Sequence, residues 1–139
     1  MSFEEKSTWI YAVIAVTLPV AYFATVLGQL PHTAAADIEF QVPLVAAIVA
    51  AIVPTIVAHI GIAIAAPDDA GKRDQRDKDI NRYGEYVGGI VLGAAVVVPL
   101  ILALTEADAF WIASTIYLAF VLSAVSGSVV KIVAYRRGL

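Results

Sequence analysis

The chain has 139 residues, of which 60% are hydrophobic and 15% charged, with a formal net charge of −3. Soluble domains carry about 25% charged residues, so this composition excludes an ordinary water-soluble globule, and the weak negative charge offers nothing to nucleic acid. There is no cysteine, which excludes disulfides, thiolate metal sites, iron–sulfur clusters and thiol catalysis.

Four apolar stretches approach or exceed the roughly 20 residues needed to span about 30 Å of hydrocarbon. They fall at about 8–28, 43–66, 86–104 and 109–133. In lipid only helices and closed barrels satisfy every backbone group. The expected fold is therefore all-α, a single four-helix transmembrane domain over residues 1–139, built as two hairpins.

The first span opens with Trp9 and Tyr11, whose amphipathic rings favour the headgroup level. Ahead of it, Ser2 and Glu5 have the spacing of a capping box. Ala34-Ala35-Ala36 resembles a signal-peptide cleavage site, but the acidic flank and the length of the apolar run argue against a signal peptide. Pro19 removes one backbone hydrogen bond and predicts a kink at mid-span. Thr17, Tyr22 and Thr25 are the polar members of this span.

The connection over residues 29–42 has no Lys or Arg. Asp37 and Glu39 lie just before the second span, where carboxylates meet the positive end of a helix dipole, and Pro43 suits its first turn. The second span contains Pro54, a small-residue face at Ala46, Ala47, Ala50 and Ala51, and one ionisable group, His59.

The segment Pro67–Gly89 is the only long polar stretch. It carries Lys72, Arg73, Arg76, Lys78 and Arg82 against Asp68, Asp69, Asp74, Asp77, Asp79 and Glu85. This mixture is not a polybasic lipid-binding or nucleic-acid segment. Helix is expected to restart near Asp74, with Arg73–Asp77 and Asp74–Lys78 as i,i+4 pairs. Arg76, Ile80, Tyr83 and Val87 fall on one helical face. The pattern runs on into the third span and predicts an amphipathic extension projecting from the membrane over about residues 67–85.

The third span has G-x-x-x-G spacing twice, at Gly84/Gly88 and at Gly89/Gly93, each a packing face for another helix. Pro99 lies near its far end. Thr105 to Asp108 reads as a capping box for the fourth helix. The fourth span begins with Phe110 and Trp111, carries the small-residue row Ala119, Ser123 and Gly127, and closes on Lys131, Arg136 and Arg137.

Every Lys and Arg falls in the N-terminal segment, the central segment or the C-terminal end. The positive-inside rule then places both termini and the central segment in the cytoplasm, and the high Ala and Val content points to a prokaryotic cell membrane. An ionisable group at depth is a functional candidate by default, and His59 lies on the order of 10 Å inside by helical rise. Its bland alternative is a neutral His bonded to a hydroxyl at similar depth, such as Ser126. His32, Asp37, Glu39, Glu106 and Asp108 make the outer surface acidic; oxygen ligands with one imidazole suit several divalent cations, but the stronger reading is that the carboxylates serve the two helix N-termini there. No Asp, Glu, Lys or Arg lies in the middle third of any span, and no catalytic or phosphate-loop motif is present. The residues imply no enzyme, no cofactor and no metal.

The run from Asp74 to Gly88, DQRDKDINRYGEYVG, resembles the D-E-R-D-x-x-I…G-x-Y-x-G pattern of uncharacterised small four-helix membrane proteins of bacteria and archaea. Gln75 stands where that pattern has an acidic residue. Members of the family are often encoded beside a helix-turn-helix regulator, so the resemblance implies a cytosolic protein partner of that kind. The leading expectation is a regulatory or sensing membrane protein whose central helix docks a partner through Arg73, Arg76, Asp77, Ile80 and Tyr83. One alternative is a homo-oligomeric transporter or channel using the kinked spans, with His59, Thr17 and Ser126 as intramembrane polar groups. Another is an immunity-type protein holding a lipid or hydrophobic peptide between its hairpins.

Overall fold

The computed structural model describes residues 3–65 and 75–138, and these are helical apart from short connections, with no strand among them. The elements are α1 (Phe3–Leu27), a 3-10 turn (Ala35–Asp37), α2 (Gln41–Ala65), α3 (Gln75–Ala95), α4 (Val97–Leu104) and α5 (Ala109–Arg137). Helices α1, α2, α5 and the combined α3–α4 span Gln75–Leu104 are each long and apolar enough to cross a membrane. The chain is thus built as a four-span membrane protein. Alternating spans bring both ends of the chain to one face with Lys6, Lys78, Arg82, Lys131, Arg136 and Arg137, here called the basic end. Asp37, Glu39, Glu106 and Asp108 mark the opposite, acidic end.

The prolines act unequally. Helices α1 and α2 run unbroken through Pro19 and Pro54. The third span does break, just ahead of Pro99, which has no N–H to offer the carbonyl of Ala95. α3 stops at Ala95, and α4 starts after the single residue Val96. Val96 N–H still donates to Leu92 (2.9 Å) and Leu100 N–H to Val96 (3.2 Å), so the span resumes at once.

The helices pack in the order α2, α1, α5, α3, and α4 continues α3 along α5. Helix α5 is the hub. Its closest neighbour is α3, through a seam of small residues. A Cβ placed on Gly84 would lie 2.9 Å from the Gly127 carbonyl oxygen, and one on Gly127 would lie 2.9 Å from that of Gly84. One turn on, a Cβ on Gly88 would sit 3.0 Å from the Ser123 carbonyl oxygen, and Ser123 Oγ donates to the Gly88 carbonyl at 2.8 Å. Small residues permit this approach, and in lipid it is packing rather than water exclusion that drives helix association.

The second glycine pair differs from its sequence reading as a packing face. A Cβ on Gly89 or Gly93 would meet no atom within 4 Å, because α5 occupies the Gly84/Gly88 side of α3. The helical extension also does not project alone. α5 continues to Arg137, so the first turns of α3 lie along it and Ile80 is buried there. At the other hairpin turn, Thr105 does not cap α5. Its hydroxyl donates back to the carbonyls of Ile101 and Leu102, Glu106 takes a positive φ of 56°, and Asp108 becomes the residue before the first turn of α5. The capping box on Ser2 lies outside the described residues.

The acidic end is closed by apolar packing. Tyr22 and Val26 of α1, Ile38 of the connection, Ala47 of α2 and Phe110 of α5 form one buried cluster. Phe40 meets Phe110 edge-on at 5.8 Å, and the Tyr22 hydroxyl shares a hydrogen bond with Ser114 Oγ at 3.0 Å.

Candidate functional site

Helix α2 rests on α1, and no broad contact joins it to α3, α4 or α5. Its Val and Ile side chains stay exposed along its length, as suits a helix facing lipid. Two attachments hold it. Near the acidic end Ala47 sits in the aromatic cluster. Toward the basic end His59 Nε2 and Ser7 Oγ are 2.6 Å apart, a hydrogen bond from α2 to α1. The partner of His59 is thus Ser7, not Ser126. The reason is the helix order: α1 lies between α2 and α5.

With α2 held away from α3, a cleft separates the two hairpins. Its part nearer the basic end is a polar chamber of about 770 Å³, lined by all four spans. Ser7 and Thr8 reach it from α1, His59 from α2, Asn81 from α3, and Ser123 and Ser128 from α5. Asn81 Nδ2 donates to Glu4 Oε2 at 3.2 Å, and Thr8 donates to the Glu4 carbonyl at 2.8 Å. Among the described residues the charged lining is Glu4, Lys78, Arg82, Glu85 and Lys131, three cations against two carboxylates. The Lys131 side chain is 19% exposed, and its stem lies against Gly84, where a larger residue would displace it. Its ammonium is 3.9 Å from the largely exposed carboxylate of Glu85.

Farther from the basic end the same cleft becomes an apolar groove of about 520 Å³. Ile14 and Pro19 of α1, Ile48 and Ile52 of α2, and Ile116 and Phe120 of α5 form its walls. Tyr11, Thr55 and Ala124 line chamber and groove alike, so the two adjoin along the cleft. A polar pocket joined lengthwise to an apolar one matches an amphipathic molecule, head at the basic end and chain along the helices.

The residues singled out from sequence scatter around this cleft. His59, Gly84, Gly88, Gly89, Ser123 and Gly127 line the chamber. Thr17 does not, and its hydroxyl is spent on the Val13 carbonyl at 2.7 Å. Ser126 is half-buried on α5 outside both parts of the cleft. Of the expected docking residues, Arg73 lies outside the described residues. Asp77 is half-buried, Ile80 is 5% exposed and Tyr83 is 59% exposed. Ile80 is therefore a packing residue rather than an accessible contact. It forms, with Arg76, Tyr83, Val129 and Val133, a separate groove of about 630 Å³ on the other flank of the α3–α5 seam.

Glu4, Ser7, Asn81 and Lys131 do not stand out as a group in the sequence. Ser7 and His59 are 52 positions apart, and Glu4 and Asn81 are 77 apart. Only the order of helix packing brings them together. No protein-family model matches the chain, and searches of curated proteins and of solved structures found nothing similar to it.

Proposed function

We propose that this multi-pass membrane protein is a non-enzymatic binder of a lipid-like amphiphile, taken up sideways from the bilayer into the cleft between its hairpins. The observation that carries the reading is that a polar chamber and an apolar groove adjoin at Tyr11, Thr55 and Ala124. The gap between α2 and α3 supplies the route, since an amphiphile in the bilayer reaches it without leaving lipid. By the positive-inside rule the head would sit in the cytoplasmic leaflet.

The test is lipid retention. Protein purified in mild detergent should carry phospholipid that resists exchange. Thr55→Phe fills the junction between chamber and groove and should remove that lipid. Val53→Phe, on the same helix but outside the cleft lining and 51% exposed, should keep it. Equal lipid content in all three proteins would overturn the reading.

A second reading is a docking site for a cytosolic protein on α3, favoured by the groove that Arg76 and Tyr83 flank. Tyr83→Ala is its clean probe. Ile80→Ala is not, because Ile80 also packs against α5. A soluble protein that cross-links to the wild type and not to Tyr83→Ala would support it.

A further inference from the structure

We infer that the head group selected by the cleft is an anionic phosphodiester, held by Lys131, Arg82 and Lys78. This rests on the amphiphile reading above and adds the chemical class of the ligand. The groove supplies little discrimination. An acyl chain that leaves its lipid neighbours for Ile52 and Phe120 exchanges one apolar surface for another. Selection has to come from the chamber, where polar groups stand at the edge of a low-dielectric space and ionic hydrogen bonds are strong.

Three features of the chamber favour an anion. Among the described residues its charged lining has three cations and two carboxylates. Glu4 already accepts a hydrogen bond from Asn81, and the Glu85 carboxylate lies 3.9 Å from the Lys131 ammonium, so both carboxylates already have partners of their own. Among the described residues, no carboxylate lies within ion-pairing distance of Lys78 or Arg82. The two are four positions apart on α3 and share one face of it. The Lys131 ammonium enters from α5, and a contact of 3.9 Å to one carboxylate leaves donors for a second acceptor. An Arg fork with two ammonium groups matches the unesterified oxygens of a phosphodiester.

The experiment presents detergent-purified protein with equimolar phosphatidylglycerol and phosphatidylcholine of identical acyl chains, and reads bound lipid by native mass spectrometry. The expected result is a preference of about tenfold for phosphatidylglycerol, the scale of two or three half-exposed ion pairs. Arg82→Gln with Lys78→Gln, on the exposed side of α3, should reduce it several-fold without disturbing the helix seam. Lys131→Gln should reduce it further, and Lys131→Arg should restore it. Equal binding of the two lipids, abolished by Thr55→Phe, would overturn the head-group inference and leave the cleft reading intact. Binding of neither lipid would overturn both.

Discussion

Helices α5 and α2 have similar length and apolarity, yet they occupy opposite situations. α5 touches every other span except α2 closely, while α2 leans on α1 alone. The difference lies in the side chains. α5 carries Ser114, Ala119, Ser123 and Gly127 toward its neighbours, and these let a second backbone come close. α2 has a small-residue face as well, at Ala46, Ala47, Ala50 and Ala51, but of its residues only Ala47 is buried, and its Val and Ile side chains stay exposed to lipid. Apolarity therefore decides that a helix enters the membrane, and the small residues that meet a partner's backbone decide what it packs against once there.

The largest effect expected within this contrast is at Phe110, 1% exposed on α5 and the centre of the cluster at the acidic end. Phe110→Ala should cost about 3–5 kcal/mol, read as a lowered unfolding midpoint in mixed micelles. Next comes the seam. Gly127→Ala puts a Cβ 2.9 Å from the backbone oxygen of Gly84, contact that no side-chain rotation relieves. The helices must move apart, at a cost of about 1–3 kcal/mol in the same assay. The smallest effect belongs to α2. Ile56 is 53% exposed and outside the cleft lining. Ile56→Ala should change stability by less than about 0.5 kcal/mol. A loss at Ile56 as large as that at Gly127 would mean that α2 is covered by another protein chain and would break the contrast.

The four spans are legible in the sequence because an apolar run of membrane-crossing length is rare in a protein that folds in water. Gly84, Gly88, Ser123 and Gly127 are legible too, since a spacing of four places them on one face of each helix. Gly89 and Gly93 carry the same spacing and look equivalent, because spacing says nothing about which of two faces a partner takes. The cleft is illegible for a stronger physical reason. A void has no residue of its own, and it exists only because α1 and α5 adjoin while α2 and α3 do not. The pairing of His59 with Ser7 follows from the same helix order, which no local pattern encodes. Ile80 misleads because an apolar residue on a polar helix looks like an external contact until the length of α5 is known.

Helix α2 behaves mechanically as a beam pinned near two points, Ala47 in the aromatic cluster and His59 on Ser7. Twelve residues separate the pins, about 18 Å of helix, and Pro54 falls within that stretch, where one backbone hydrogen bond is already missing. The beam is thus most compliant close to Thr55, at the junction of chamber and groove. A load from the cleft side can bow it outward without drawing either pin, so the cleft can widen by deflection of one helix rather than by separation of the hairpins.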